Sequence, residues 1–176
     1  MSSLGVVSGS FDPITLGHLF VITKALSIVD KVHVLIAGNP AKKYFFTEQE
    51  RYDIVRQSIR EALPNDYEKV TVSFLPYEEF TATFARDELG ANTIFRGIRN
   101  VVDFEYEHSQ QLFNSDIAPE VTTVFIMPPP ELIQVSSSMV KSMIGMRDWQ
   151  NKVTKCMPPY ALTKLEQKRK ANEDRI

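Results

Sequence analysis

The chain has 176 residues, of which 43% are hydrophobic and 24% charged, and its formal net charge is −2. That length suits one domain with a well-buried core, and the near-neutral charge excludes a basic field for a nucleic-acid or membrane partner. The single cysteine, Cys156, excludes a disulfide framework or a cysteine zinc cluster, and no apolar run is long enough to cross a bilayer, so we expect a cytoplasmic protein.

Five apolar runs rich in β-branched residues recur along the chain and predict five strands. These runs lie at Leu4–Val7, Val32–Ala37, Val70–Leu75, Thr93–Phe95 and Val121–Met127. Because their apolar character is continuous rather than alternating, each strand is expected to be buried on both faces, as in a parallel sheet.

Amphipathic segments long enough for crossover helices lie between these runs. The predicted helices cover residues 18–28, 47–62, 79–89 and 102–116, and shorter helices are expected from Ser136, near Asp148 and after Pro159. The alternation predicts a single α/β domain over residues 1–176, a Rossmann-like three-layer sandwich with a doubly wound, five-stranded parallel sheet. Residues 160–176 are expected to form a charged C-terminal helix and tail.

The loop after the first strand, from Ser8 to His18, is suited to phosphate chemistry. Small residues at positions 8–10 let a ligand approach the main chain, and Gly17 removes a side chain where the next helix begins. His18 then lies at the positive end of that helix, where free amides and the dipole favour an anion and an imidazole can donate to a phosphoryl oxygen. The alternative is a tight turn with an incidental histidine.

Two arginines follow the fourth strand in the string Arg96-Gly97-Ile98-Arg99. A guanidinium offers a planar fork of donors that suits phosphate, and Gly97 permits close approach of the backbone. The alternative is that both arginines form surface ion pairs with Asp103 and Glu107.

Three consecutive serines, Ser136 to Ser138, open a helix and are followed by Met-Val-Lys. Their hydroxyls and the free amides of the first turn could hold phosphates, whereas simple N-capping would need only one serine. Lys42 follows the second strand in the loop Pro40-Ala41-Lys42-Lys43, and a loop lysine by itself is usually just solvated.

Together these segments resemble the nucleotidyltransferase superfamily with the T/H-x-G-H signature, here preceded by Gly9-Ser10-Phe11-Asp12-Pro13-Ile14. The string R-G-I-R followed by D-F-E-Y-E resembles the phosphopantetheine adenylyltransferase family in particular, and the resemblance runs from Val6 to about Tyr160. It implies transfer of AMP from ATP to 4′-phosphopantetheine, with Mg²⁺ accompanying the triphosphate. It also implies a homo-oligomer, commonly a hexamer.

The resemblance further implies a role for each site residue. His18, Lys42 and Ser10 are expected to be catalytic, and the acceptor is expected to contact Ser10, Lys42, Thr81 and Arg96. No protein ligand to a metal is expected. The expected ATP contacts are Ser10, Phe11, His18, Gly97, Ile98, Arg99, Glu107, Leu132, Ser136, Ser137 and Ser138.

The sequence departs from the family pattern in four places. Ser10 stands where threonine is common, which keeps the hydroxyl, and Ser8 replaces a tyrosine or proline-type residue. Leu132 falls where many members have tryptophan near the adenine, and Phe80-Thr81-Ala82 differs from the usual leucine-rich segment that meets the pantetheine arm. The last two bear on adenine preference and on the identity of the acceptor.

Other functions remain as alternatives. The acceptor could be nicotinamide or nicotinate mononucleotide, which an aromatic stacking residue in the acceptor pocket would favour, whereas an elongated apolar groove favours pantetheine. A non-catalytic nucleotide sensor is a second alternative. A P-loop enzyme or a nicotinamide-dependent enzyme is disfavoured because G-x-x-x-x-G-K-(S/T) and G-x-G-x-x-G are absent. His33, His108 and Cys156 show neither metal-ligand spacing nor a partner base.

Overall fold

A computed structural model describes residues 2–38 and 42–173, and its centre is one parallel sheet of five strands. The strands are β1 (Leu4–Gly9), β2 (Lys31–Ile36), β3 (Val70–Phe74), β4 (Thr93–Gly97) and β5 (Thr122–Ile126). Their order across the sheet is β3-β2-β1-β4-β5, and every neighbouring pair is parallel. The predicted doubly wound, five-stranded sheet is therefore confirmed, and its strand order reverses between β1 and β4.

Helices cover both faces of the sheet in the described part of the chain. They are α1 (Leu16–Leu26), α2 (Glu48–Ala62), α3 (Thr81–Asp87), α4 (Val101–Ile117), α5 (Ser137–Met143), α6 (Trp149–Val153) and α7 (Pro159–Glu173). Two short 3₁₀ helices lie at Tyr67–Lys69 and Pro130–Leu132. None of these helices combines the length and the apolar composition that a membrane span requires.

Alternate residues of the strands enter two separate cores, which makes the fold a three-layer sandwich. On β2, Val32, Val34 and Ile36 pack into the larger core with α1, α2, α5, α6 and α7, whereas Leu35 points into the smaller core with α3. His33 shares the face of Leu35, and its ring nitrogens lie 2.7 and 2.8 Å from the hydroxyls of Ser73 and Thr71 on β3. It is a hydrogen-bonded strand residue, as its position in the run predicts.

The start of α2 carries a capping box formed by Thr47 and Glu50. The Glu50 amide donates to the Thr47 hydroxyl at 3.2 Å, and the Thr47 amide donates to the Glu50 carboxylate at 2.8 Å. These reciprocal bonds satisfy two amides that have no acceptor inside the helix. Glu50 also accepts two bonds of 2.7 Å from Lys168, so the charged last helix, α7, is joined to α2.

Some element boundaries differ from those predicted. Helix α3 begins only at Thr81, because residues 76–79 form a turn in which the Glu79 amide donates to the Pro76 carbonyl. The segment after β5 contains a 3₁₀ turn that Pro130 begins. Helix α7 buries Ala161 and Leu165 completely, so its first half belongs to the main core. Residues 174–176 of the predicted tail lie outside the described residues.

Candidate active site

A crevice opens above the carboxyl ends of β1 and β4, where the strand order reverses. It consists of two adjoining cavities of about 320 and about 300 Å³. Both are lined by Ser8, Gly9, Ser10, Lys42, Arg96 and Glu107. Parallel α/β sheets bind ligands at this kind of position, so the topology alone marks the crevice as the candidate site.

The two cavities differ in the rest of their lining. The serine branch is lined by Thr15, Gly17, His18, Gly97, Arg99, Asp103, Pro128, Val135 and Ser136–Ser138. The aromatic branch is lined by Leu75, Glu79, Phe80, Thr81, Tyr106, Gln110, Phe113 and Asn114, among others. A polar, cationic compartment therefore adjoins one with aromatic walls, and six shared residues lie at their junction.

His18 lies in the serine branch, three residues into α1, with one ring nitrogen already engaged. The Thr15 amide donates to its Nδ1 at 3.0 Å, and the Thr15 hydroxyl lies 3.0 Å from the same atom. This is a capping-box arrangement with histidine in the place of the usual glutamate. Because Nδ1 accepts the amide proton, a neutral ring carries its own proton on Nε2, which is left to donate to a ligand.

The charge state of His18 follows from its surroundings. Burial, together with the positive charges of Arg99 and Arg96, lowers the pKa of His18 from the ordinary 6.5 to about 4. The imidazole is therefore neutral at pH 7. It can act as a fixed hydrogen-bond donor, but it is not a cation and holds no second proton to release.

The loop before α1 supports the His18 ring through Phe11. Phe11 has a φ of 46°, in the left-handed region that residues with a side chain rarely adopt. Its ring is buried in the main core and meets the His18 ring edge-on, with centroids 5.0 Å apart. The Phe11 ring supports the imidazole and lines neither branch of the crevice, and the predicted contact of Phe11 with ATP stays a prediction.

Asp12, the next residue, joins three segments of the site. Its buried carboxylate accepts hydrogen bonds from the amides of Phe45 and Phe46 at 2.9 and 2.8 Å, and from Lys141 Nζ at 2.7 Å. Phe45 and Phe46 follow the loop that carries Lys42, and Lys141 belongs to α5, which follows the three serines. One carboxylate therefore ties the β1–α1 loop to both neighbouring ligand-facing segments.

Arg96 projects from the end of β4 into the junction and is already extensively bonded. Its Nε and Nη2 donate to the two carboxylate oxygens of Glu107 at 2.5 and 2.7 Å. Its Nη1 donates to the carbonyl and hydroxyl oxygens of Ser8 at 2.6 and 2.8 Å. A guanidinium has five N–H groups, so this arrangement leaves one Nη2 hydrogen for a ligand.

Arg99 and Lys42 provide the other cations facing the serine branch. Arg99 donates to both carboxylate oxygens of Asp103 at 2.8 and 3.2 Å, so the ion pairs considered from the sequence do form. They form inside the crevice, however, and not on a solvated helix face. Lys42 is exposed and lines both branches. The two residues before it in the loop, Pro40 and Ala41, lie outside the described residues.

The three serines reach the crevice, but two of their hydroxyls have structural partners. Ser136 caps α5 by accepting from the Met139 amide at 3.1 Å, and Ser137 donates to the Pro13 carbonyl at 2.8 Å. Ser138 is exposed at the mouth of the serine branch. The structure therefore combines the two alternatives, because capping and crevice lining occur in the same serines.

Two further predicted ATP contacts do not line the crevice. Leu132 lies in the 3₁₀ turn and packs against the main core, and Ile98 donates its amide to the Ile126 carbonyl at 3.0 Å. Gly97 does line the serine branch. A Cβ atom there would come within 2.9 Å of Val21 Cγ2, so the absence of a side chain lets β4 pack against α1.

Thr81, predicted to contact the acceptor, opens α3 and lines the aromatic branch. Beside it Phe80 packs edge-on against Phe113 of α4, with ring centroids 5.1 Å apart. Phe80 and Phe113 are both substantially exposed. The departure from the leucine-rich family segment therefore places an aromatic pair at the wall of this branch.

Sequence reasoning missed Asp12, Lys141 and Arg51 as contributors to the site. In the sequence, Asp12 and Lys141 are only parts of the quoted motifs, and Arg51 lies inside a predicted helix with no signal of its own. Among the remaining candidates, Cys156 is buried, and burial raises the pKa of its thiol, which makes a nucleophilic role still less favourable. His108 is exposed and stacks on Phe104.

Comparison with known sequences identifies relatives over nearly the whole chain. The cytidylyltransferase-like family model matches residues 6–143. The phosphopantetheine adenylyltransferase of Chromobacterium violaceum is 37% identical over 160 residues, which cover 91% of this chain and 93% of that protein. The protein of the same name from Neisseria meningitidis serogroup B is 41% identical over 160 residues, covering 91% and 90%. That from Streptococcus equi subsp. zooepidemicus is 33% identical over 170 residues, covering 97% and 96%.

Solved structures with similar folds are more distant in sequence. Nicotinic acid mononucleotide adenylyltransferase of Plasmodium falciparum, complexed with NaAD, superposes with a TM-score of 0.69 at 17% identity, covering 95% of this chain and 96% of that one. A lipopolysaccharide core biosynthesis protein of Thermoplasma volcanium superposes with a TM-score of 0.51 at 16% identity, covering 73% and 98%. At such identities the likeness concerns the fold alone.

Proposed function

The chain belongs to the cytidylyltransferase-like family and, within it, to the phosphopantetheine adenylyltransferases, and we propose that it transfers the adenylyl group of ATP to 4′-phosphopantetheine. The products are dephospho-coenzyme A and pyrophosphate, a step of coenzyme A biosynthesis. As a member of this family the protein is a nucleotidyltransferase. The observation that carries the proposal is the crevice itself, in which Ser10, His18, Lys42 and Arg96 line one compartment with two branches.

The two branches suggest how the substrates divide between them. We assign the triphosphate to the serine branch, where Arg99 and the start of α5 face the cavity, and the acceptor to the aromatic branch, where Thr81 lies. The reacting phosphates then meet at the junction, beside Ser10 and Arg96. Holding both reactants in line there supplies much of the rate acceleration, because it removes the entropic cost of their encounter.

The proposed reaction is a direct displacement at phosphorus. An oxygen of the acceptor phosphate forms a bond to the α-phosphorus of ATP. The bond from that phosphorus to the α–β bridging oxygen breaks, and pyrophosphate leaves with the electron pair. The acceptor oxygen is already deprotonated at neutral pH, so neither a general base nor a covalent nucleophile is required.

The chain's own groups stabilise the charge that builds during this displacement. We assign the Nε2–H of His18 to a phosphoryl oxygen of the transition state, consistent with its neutral state and its fixed ring. Lys42 is assigned to the leaving and transferring phosphates, because an exposed loop lysine can follow the charge. Ser10 is assigned to the reacting phosphate, and the free Nη2 hydrogen of Arg96 to the acceptor phosphate.

Mg²⁺ is proposed to enter with the triphosphate and not to occupy a protein site of its own. Within residues 2–38 and 42–173, no group of three or more His, Cys, Asp or Glu side chains could hold a metal ion. Asp103 and Glu107, the carboxylates of the serine branch, are each bonded to an arginine. Phosphate oxygens and water would therefore be its ligands, and the ion would supply neutralisation of the triphosphate charge.

The identity of the acceptor depends on the aromatic branch. Relatives that are 33–41% identical over at least nine-tenths of the chain are phosphopantetheine adenylyltransferases, which supports the pantetheine assignment. The Phe80–Phe113 pair is a feature that favours a mononucleotide, because a nicotinate ring could stack there. The two rings already contact each other edge-on, however, and Leu75 extends the wall with apolar surface, which suits a flexible arm.

A homo-oligomer, by family resemblance a hexamer, is also part of the proposal. Helix α4 buries none of its 17 residues in the single chain. Val102, Phe104 and Leu112 on this helix are 73%, 43% and 53% exposed. An apolar surface of this kind commonly marks a protein contact, and further copies of the chain would cover it. We also place the enzyme in the cytoplasm, where ATP is available and Cys156 remains a thiol.

A pyrophosphate-release assay with ATP and Mg²⁺ tests the function. The expected result is rapid turnover with phosphopantetheine and little with nicotinate or nicotinamide mononucleotide. Turnover only with a mononucleotide would replace the acceptor. Absence of turnover with every acceptor, together with tight ATP binding, would instead support a nucleotide sensor.

A further inference from the structure

A buried arginine lies directly behind the loop that carries Ser10. Arg51 is the fourth residue of α2, and its side chain is only 1% exposed. Its Nη1 donates to the main-chain carbonyl of Ser10 at 2.8 Å. Arg51 lines neither branch of the crevice, so its side chain does not touch a ligand bound there.

The positive charge of Arg51 has little to balance it. In the described part of the chain, the only carboxylate within 4 Å is that of Glu48, whose Oε1 lies 3.9 Å from Nη2. Glu48 is half exposed and also accepts a hydrogen bond from the Tyr77 hydroxyl. The Tyr44 ring covers the guanidinium at 4.2 Å, and no described group bonds to its Nε.

Such an arrangement is unfavourable for the ligand-free protein. A buried charge without a close counter-ion is destabilising, and an apolar side chain of similar volume often serves stability as well or better. An unbonded buried nitrogen adds to that cost. The remaining use for the guanidinium is an interaction that forms only when the crevice is occupied. The Ser10 loop and the Tyr44 ring separate Arg51 from the crevice, and of these the Ser10 carbonyl is hydrogen-bonded to the guanidinium.

We propose that Arg51 is a positioning residue for the phosphate bound at Ser10, and that this bound anion provides the countercharge that the guanidinium lacks. The hydrogen bond holds the Ser10 carbonyl towards α2, which prevents this peptide from rotating and keeps the carbonyl dipole away from the anion. The inference rests on the function proposed above, because it requires a phosphate at the junction. It adds a cation that acts from behind the loop without touching the substrate.

Substitutions of Arg51 test the inference. Arg51→Met removes the charge and the donors at similar length, and Arg51→Lys keeps the charge. Arg60→Met is the matched control, because Arg60 is an exposed arginine on the same helix. For each variant, the melting temperature is measured without ligand, with ATP and Mg²⁺, and with inorganic pyrophosphate. The kcat and KM values are then measured by pyrophosphate release.

We expect Arg51→Met to keep the ligand-free melting temperature near that of the wild type and to lose most of the ATP-induced increase. Its kcat/KM should fall by about a hundredfold, the order of loss that a misplaced reacting group produces. Arg51→Lys should recover part of both quantities, and Arg60→Met should match the wild type in both.

A purely structural arginine would give the opposite pattern. Arg51→Met would then lower the ligand-free melting temperature while the folded fraction kept its ATP-induced shift and its kcat/KM, and that result would overturn the inference. If Arg51→Met does not fold, Arg51→Gln, a shorter neutral variant with a polar end group, decides by the same two quantities. Failure of the wild type to turn over phosphopantetheine would refute the proposed acceptor, whereas the ATP shifts would still test Arg51.

Discussion

Replacing His18 with alanine is expected to lower kcat by about a hundredfold with little change in the KM for ATP. The substitution removes the Nε2–H that faces the serine branch, and loss of one such donor to a developing charge typically costs about 2.7–4 kcal/mol. The pKa of His18 is lowered to about 4, so the donor is neutral at pH 7. Neutral donors are weaker than charged ones, which places the expected loss at the lower end of that range.

The assay is steady-state pyrophosphate release with phosphopantetheine, at saturating ATP and over a range from about pH 6 to 8.5. Because His18 titrates well below this range, the wild type should show no loss of kcat near pH 6.5 that depends on this residue. The matched control is His108→Ala, since His108 is exposed on α4 and stacks on Phe104. This control should retain the kcat of the wild type.

Two results would refute this reasoning. A decrease in kcat of less than tenfold would mean that the imidazole does not contact the transition state, and a rise in KM alone would assign it to ground-state binding. An acidic limb near pH 6.5 that disappears in His18→Asn would show that the ring titrates with an ordinary pKa. The bond from the Thr15 amide would then not determine its state.

Three further predictions concern the loop, the histidines and α4. Asp12→Asn should lower kcat/KM by about tenfold, because the ligand-facing segments that Asp12 joins would be misplaced. A double-mutant cycle with Lys141→Met should give a coupling energy above about 0.5 kcal/mol, and additive effects would contradict the interaction between Asp12 and Lys141. Burial lowers the pKa of His33 and His18 in the folded chain, so the unfolded chain binds more protons below about pH 6.5. The free energy of unfolding from urea titrations should therefore decrease as the pH falls from 7.5 to 5.5 (roughly the range of histidine titration). The decrease should be smaller in His33→Gln, and a free energy of unfolding that does not change with pH would contradict this reasoning. Leu112→Glu should shift sedimentation towards smaller species, and an unchanged distribution would exclude α4 from the interface.

The sheet and the location of the site could be predicted from the sequence because both depend on local patterns. Continuous apolar runs mark strands that are buried on both faces, and the loops at their carboxyl ends contain Ser10, His18 and Arg96. Because the strands are parallel, their carboxyl ends lie at the same edge of the sheet and bring these loops together. The start of α3 could not be predicted in this way, since the turn before it depends on a single hydrogen bond from Glu79 to the Pro76 carbonyl.

The partners of the charged groups could not be predicted, because they are set by contacts between distant segments. Asp12 reads locally as a turn residue, yet its partners Phe45, Phe46 and Lys141 are 33, 34 and 129 positions away. Arg51 likewise reads as one more charge on an amphipathic helix. Its bond to Ser10 spans 41 positions, and only the packing of α2 behind the first loop reveals it.

The ion pairs of the crevice explain how a protein of net charge −2 can prepare a site for two phosphorylated substrates. Glu107 and Asp103 hold the guanidinium groups of Arg96 and Arg99 in fixed orientations before any ligand arrives. These carboxylates weaken the field of the arginines, but they also remove the side-chain entropy that binding would otherwise cost. Lys42 remains the exposed cation at the junction, where mobility is useful during the reaction. Affinity in such a site therefore comes from preorganised donors and not from excess positive charge. Residues that hold these donors in place are then as important as the residues that touch the substrate.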